Sequence, residues 1–285
     1  MKKFSYLFLF LLLSVSAFSV PITEFDFYIP PSGMIITEET ITYANGSEFY
    51  DLEGEKYDTG NDYTFIDYDT KVWIGIADIM GLGLELPYVT KKRSGEDGSR
   101  KGKGIGDLTI CTRFGSPKFA FDFNWTLPTG SSLVKEALGE DEYQTGGTLY
   151  TPWGGTHNLG FYALFKGGLI RGYVGYVITI GRDFQDTYFT FNPGDVFRYG
   201  LSLNYTFVDA GSQIGILVEG FQTTANKLDE EEIPNSEVSR LDMTPYFAVD
   251  LFDGTIVYVG YTMVNSGDNV QAFNEIRVGL NILEF

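Results

Sequence analysis

The chain has 285 residues, 44 % of them hydrophobic and 16 % aromatic, with 34 glycines, one cysteine and one histidine. Its 38 acidic residues against 20 basic ones give a net charge of −18, which speaks against nucleic acid as a partner, because a phosphate backbone is bound by an excess of lysine and arginine. The lone Cys111 excludes a disulfide framework and the lone His157 excludes a multi-histidine metal centre.

Lys2 and Lys3 precede the apolar run Phe4 to Leu13, and Ala17-Phe18-Ser19 offers small residues at the −3 and −1 positions. Residues 1–19 therefore read as a secretory signal peptide, since the run is too short to cross a bilayer. Without the two lysines the mature chain carries 18 basic and 38 acidic residues, a net charge of −20. Nothing downstream has the length of a transmembrane helix.

Residues 20–32 contain Phe25, Phe27, Tyr28 and the pair Pro30-Pro31, which breaks strand pairing, so they are expected to form an N-terminal arm and a candidate plug. From residue 33 to 285 the spacing predicts one domain of twelve strands: 33–43, 63–76, 81–92, 104–115, 118–127, 157–166, 170–181, 196–208, 212–224, 239–250, 254–264 and 272–284. Their connections alternate between short turns, such as 116–117 and 167–169, and long loops, such as 44–62, 93–103 and 128–156. Short turns on one side, long loops on the other and an even strand count predict an all-β fold, an antiparallel transmembrane β-barrel with short periplasmic turns and long extracellular loops.

The hairpin at 104–130 displays the two faces most clearly. Leu108, Ile110 and Phe114 alternate with Asp107, Thr109, Cys111 and Arg113; Phe119, Phe121, Phe123, Trp125 and Leu127 alternate with Asp122 and Asn124. Over the other strands the apolar series, for example Leu201, Leu203, Tyr205 and Phe207, is assigned to lipid. The alternate series is assigned to the lumen. Candidate lumen-lining residues are Asp67, Lys71, Asp107, Arg113, Asp122, Asn124, Arg171, Arg198, Glu219, Arg240, Asp242, Glu275 and Arg277. Such charges suit a polar bore better than a dry core.

Phe285 supplies the aromatic C-terminus that belongs to the signal read by the barrel assembly machinery. Counting back in twos from it gives Leu283, Asn281 and Gly279, out of phase with Ile276 to Ile282, so a bulge or frayed end is expected there.

At GIGDLTICTRF (104–114), LPTG (127–130) and NLGFY (158–162) the chain resembles the outer-membrane transporter-like family known as MetA-pathway of phenol degradation proteins, distant relatives of long-chain fatty-acid channels. The resemblance implies a barrel that moves small hydrophobic or aromatic compounds across the outer membrane. It implies no catalytic residues.

No site for catalysis, cofactor or metal is assigned. A barrel phospholipase needs a serine two residues from its histidine, where Thr156-His157-Asn158-Leu159 has none. The lumen charges nearly balance, which argues against strong ion selectivity. They fit either a water-filled pore or a salt-bridge lattice that blocks it. Acidic loops at 48–62, 136–142 and 229–237 read as solvated surface, with divalent-cation bridging to anionic lipid headgroups as the alternative. The functional expectation is a passive channel or uptake protein for small solutes, in contact with outer-membrane lipids. The alternatives are a non-conducting structural or surface-binding barrel and a soluble secreted carbohydrate-binding β protein.

Overall fold

The computed structural model describes residues 29–95, 98–116, 118–129, 157–180, 182–183, 190–207, 211–228, 230–252 and 255–284. They form β1 (Ile35–Tyr50), β2 (Lys56–Ala77), β3 (Met80–Gly95), β4 (Gly98–Ile105), β5 (Leu108–Ser116), β6 (Phe119–Leu127), β7 (His157–Gly167), β8 (Ile170–Ile180), β9 (Arg182–Asp183) and β10 (Thr190–Asn192). The series continues with β11 (Val196–Phe207), β12 (Ser212–Thr223), β13 (Lys227–Leu228), β14 (Glu231–Glu232), β15 (Ser239–Phe252), β16 (Thr255–Asp268) and β17 (Val270–Glu284).

Going round the main sheet, the order is β2-β1-β17-β16-β15-β12-β11-β8-β7-β6-β5-β3, and β3 pairs back to β2. The sheet closes into a twelve-stranded antiparallel barrel. Closure is what lets strands stand in lipid, because an open edge would leave unpaired backbone groups where no water can reach them. Outside this ring, β4 pairs with β3, while β9, β10, β13 and β14 make a small four-stranded sheet. That sheet lies within the long connections β8 to β11 and β12 to β15.

Alternation fixes the two faces. Val72 and Ile74, Phe121 and Trp125, Leu201 and Leu203, and Ile276 and Val278 all point outward and are exposed, whereas their neighbours Lys71 and Trp73, Asp122, Ser202 and Asn204, and Glu275 are buried inside. A continuous apolar band of this kind would be an aggregation surface in water and is an ordinary wall in lipid. The chain is an outer-membrane β-barrel, and the soluble alternative fails on this face. The aromatic row of the 104–130 hairpin lies on it, with Phe119 and Phe121 ring centroids 4.7 Å apart.

Two expected loops, 44–62 and 93–103, and the connection at 265–271 are instead hairpins that carry the staves beyond the band. Residues 44–62 continue β1 and β2 to a turn at 51–55, where the Asp51 carboxylate accepts the amides of Glu53 and Glu55, both at 2.9 Å. Residues 93–103 extend β3 into β4, and 265–271 join β16 to β17 through Asn269 at φ 53°. Their polar, glycine-bearing composition hid the extended backbone. The expected strand 104–115 is likewise divided. β3 pairs with β5 as far as Glu85 and with β4 from Tyr88 onward, and Gly106 N–H donates to the Pro87 carbonyl at 2.8 Å where the partner changes. Asp107 therefore sits in the break between β4 and β5, off the staves.

No bulge is needed at the C-terminal end: β17 pairs with β1 in unbroken register from Ile35↔Glu284 to Asn45↔Asn274, the shift coming only between Asn45 and Glu48. Asn281 and Gly279 simply belong to the lumen side. Phe285 and residues 1–28 lie outside the described residues, as does most of the 128–156 loop.

Lumen aromatics lie down on glycines. Trp73 faces Gly83, Tyr162 faces Gly175, Tyr173 faces Gly200, Tyr246 faces Gly215 and Tyr258 faces Gly279, each as a direct cross-strand pair. A Cβ at Gly279 would stand 1.8 Å from Tyr258 Cε1, and one at Gly175 2.0 Å from Tyr162 Cδ1. The missing side chain lets the ring run along the wall to the next strand. Tyr258 crosses Gly279 to meet Thr40 Oγ1 at 3.1 Å, tying β16 to β1 across the seam where the two ends of the barrel join.

Gly279→Ala is expected to lower barrel stability by about 1–3 kcal/mol, the usual range for overpacking. The midpoint of urea unfolding in detergent micelles reads it, with Gly167→Ala, at a site with open space around it, as the control. Trp125 is expected to be quenched by bromine-labelled lipid chains when the protein is reconstituted, and unaffected by a quencher confined to water.

Candidate functional site

The polar residues of the lumen are grouped into short networks that follow the wall. Arg113 and Asp122 are direct partners on β5 and β6. Their contact is bidentate, Arg113 Nε donating to Oδ1 and Nη2 to Oδ2, each at 2.7 Å, with the residues 3 % and 4 % exposed. Parallel donors matched to both carboxylate oxygens make this the strong form of the ion pair. Lys71 and Glu85 oppose each other on β2 and β3 with Nζ to Oε2 at 2.9 Å. Between these two pairs lies Trp73, whose ring is 5.4 Å from Lys71 Nζ and 5.1 Å from the Arg113 guanidinium carbon. The negative face of the indole thus shields two cations from each other.

A second network stands on β15 and β17. Arg240 Nε donates to Asp242 Oδ1 at 2.6 Å and its Nη2 to Glu275 Oε1 at 2.7 Å, while Arg277 Nη2 is 4.0 Å from Glu275 Oε2. Arg240, Asp242 and Glu275 are 2 %, 3 % and 1 % exposed. One guanidinium fork so holds two carboxylates that would otherwise repel at close range. On the far side Tyr173 reaches over Gly200 and donates to Glu219 Oε1 at 2.7 Å.

All of these contacts join groups on the same stave or on staves no more than two places apart. They therefore coat and stiffen the wall. Arg113, Asp122, Arg240, Asp242 and Glu275 are nearly fully buried in these contacts.

The remaining expected lumen residues fall as follows. Asp67 lies on the lumen face of β2 two positions outward of Asp69, with Oδ1 buried. Arg171 is 8 % exposed and stands between Lys166 and Ser202, and Arg198 stands between Gly175 and Phe221. Asn124 lies between Cys111 and Gly160 with a buried Oδ1 that accepts no hydrogen bond. Asp107 alone is off the staves, as described above. The other twelve stand at inward positions of the staves, and they do not converge on one common site.

The turn-side mouth holds a feature that the charges did not announce. Residues 29–34 fold back against β2 and β3: Gly33 N–H donates to the Gly75 carbonyl and Gly75 N–H to the Met34 carbonyl, both at 2.9 Å. Pro30 is fully buried, and a Cβ at Gly81 would meet its Cδ at 3.1 Å. A Cβ at Gly75 would lie 1.9 Å from the Pro31 carbonyl oxygen, so only glycine admits the crossing. The pair of prolines was visible in the sequence. Its glycine seats were not.

Sequence reasoning also missed the aromatic component of the lumen and Glu39, a carboxylate on the outward face of β1 that accepts a 2.8 Å hydrogen bond from Thr70 Oγ1. His157 starts β7 with its ring centroid 6.3 Å from that of Trp125. Among the described residues no group of three or more histidine, cysteine, aspartate or glutamate side chains converges as a metal site.

No protein-family model matches the chain, and no curated protein matches it. Among solved structures it is similar to the COG4313 outer membrane channel from Pseudomonas putida F1, with a TM-score of 0.76 and 14 % identity over 93 % of this chain and 100 % of that one. It is less similar to the translocator domain of the autotransporter NalP from Neisseria meningitidis, with a TM-score of 0.52 and 9 % identity over 90 % of both chains. The beta domain of the Bordetella autotransporter BrkA gives a TM-score of 0.51 and 13 % identity over 88 % of this chain and 99 % of that one. At these identities the likeness is one of fold.

Truncating Arg113 to alanine is expected to cost about 3–5 kcal/mol, because Asp122 is left buried and unpaired. Removing both partners in Arg113→Ala with Asp122→Ala is expected to cost less than that single change. Urea unfolding of the two variants and the wild type measures the difference.

Proposed function

We propose that the protein is a passive outer-membrane channel or uptake barrel for small hydrophobic or aromatic solutes. The observation that carries this reading is the lumen itself, which combines wall-hugging ion pairs with aromatic rings laid flat on glycines. Rings and paired charges offer a solute apolar faces without a net field, which suits a neutral molecule better than an ion. The fold likeness to an outer membrane channel over nearly the whole chain supports the reading. So does the sequence resemblance at 104–114, 127–130 and 158–162.

In this reading the bore is narrow, and the N-terminal arm of residues 20–32 occupies its periplasmic mouth. The seating of Pro30 and Pro31 on Gly75 and Gly81 supports that role for the part of the arm that can be described. Export through the periplasm under a signal peptide at 1–19 and recognition of Phe285 by the assembly machinery complete the proposal.

A non-conducting structural barrel is the second reading, favoured by the burial of Arg240, Asp242 and Glu275 at 3 % exposure or below. Single-channel recording in planar bilayers separates the two. The channel reading expects discrete conductance steps, larger after deletion of residues 20–32. Silent bilayers for both the full chain and the deletion would leave the structural reading.

A further inference from the structure

Two amide groups on the turn-side half of the lumen take no part in the networks above. Asn204 Nδ2 and Gln213 Nε2 are buried and donate no hydrogen bond, in residues 7 % and 5 % exposed. Buried N–H groups in folded proteins nearly always have an acceptor. Their positions are related: Asn204 on β11 opposes Gly215 on β12, and Gln213 is two residues along from that glycine on the same face. The two amides are therefore diagonal neighbours across one strand pair.

What fixes the Asn204 group is the hydroxyl of Ser202, which donates to its Oδ1 at 2.9 Å and also meets Tyr246 Oη at 3.1 Å. With the oxygen held there, the NH2 is turned away from Ser202. On β15, Tyr246 opposes Gly215 and Ala248 opposes Gln213. Both belong to a buried apolar cluster with Leu217, Ile256 and Tyr258. Two neighbouring donors beside an apolar, aromatic wall are the lining that a small molecule with one polar end requires. Amides are neutral, so they hold an acceptor oxygen whether or not it carries charge. Arg171 faces Ser202 on β8, and Asp250 lies two residues beyond Ala248 on β15, so charges of both signs flank the spot.

We infer that Asn204 and Gln213 form a binding station in the bore for an acceptor oxygen, of a carbonyl or a carboxylate, on a small aromatic molecule whose ring rests on the Leu217–Tyr246–Tyr258 wall. The inference deepens the channel reading and rests on it for the identity of the solute class. A station of this kind selects among aromatic compounds by their oxygen, retaining the oxygenated ones over plain hydrocarbons.

Titration calorimetry of the full chain refolded in detergent, with acetophenone, benzoate and toluene as probes, tests it. Acetophenone is expected to bind about tenfold or more tightly than toluene, as sites built for a hydrogen-bonding group discriminate against its absence. The near-isosteric double substitution Asn204→Leu with Gln213→Met should bring acetophenone down to the toluene level and leave toluene unchanged. Asn204→Asp, which replaces the NH2 by an acceptor of the same shape, should weaken benzoate more than acetophenone, and it decides the matter if the double variant does not fold. Equal binding of acetophenone and toluene by the wild type, or unchanged acetophenone binding by the variants, overturns the station and leaves the amides to water. Bilayer conductance is read separately. Oxygen discrimination in a barrel that never conducts keeps the station and sinks the channel, and conductance without discrimination does the reverse.

Discussion

Every backbone donor and acceptor at membrane depth must be answered within the sheet, and the pairing of β1 with β17 is what makes that possible. The two strands run together from Ile35↔Glu284 to Tyr50↔Val270 with a single shift between Asn45 and Glu48. Without them the sheet would have two free edges in hydrocarbon. Because the ring closes, one face of every stave is committed to lipid and the other to the bore. The apolar band and the charged interior both follow from that division, and so does the freedom to bury Arg240 with two carboxylates.

Inside the ring, stability and shape are maintained by a device that spans three strands at a time. Tyr173 over Gly200 to Glu219, Tyr246 over Gly215 to Ser202 and Tyr258 over Gly279 to Thr40 are versions of one arrangement. In each, a ring fills the hollow above a glycine and its hydroxyl finds a partner one stave further on. Backbone pairing holds neighbours together, whereas these bridges couple next-nearest staves and resist shear between them. They also keep bulky rings out of the middle of the bore, where a rotamer standing upright would obstruct it.

The division of faces was legible in the sequence because a period of two is a local signal: Phe119, Phe121 and Trp125 declare their side within one strand. Twelve of the thirteen residues expected in the lumen stand at the inward positions of that alternation. Asp107 lies off the staves because the run 104–115 keeps its alternation through a change of pairing at Gly106, whose N–H meets the Pro87 carbonyl on β3. The hairpin extensions at 44–62 and 93–103 read as loops because their residues are charged on both faces, as befits strands standing in water above the membrane. Pairings were out of reach for a different reason. Which tyrosine lies on which glycine, and which arginine holds which carboxylate, depends on register between staves, and register is fixed by the closed sheet as a whole.

Cys111 shows what such enclosure does to chemistry. It is 0 % exposed, opposite Asn124 on one side and Gly83 on the other, and it packs in a cluster with Ile36 and Trp73. Thiols exported from the cytoplasm ordinarily meet oxidants that couple them to one another. This one is walled in by the barrel, so neither a second copy of the chain nor a small oxidised disulfide can reach its sulfur for exchange. Once the barrel has closed, the thiol is out of reach of whatever oxidants or reductants the surrounding compartment holds.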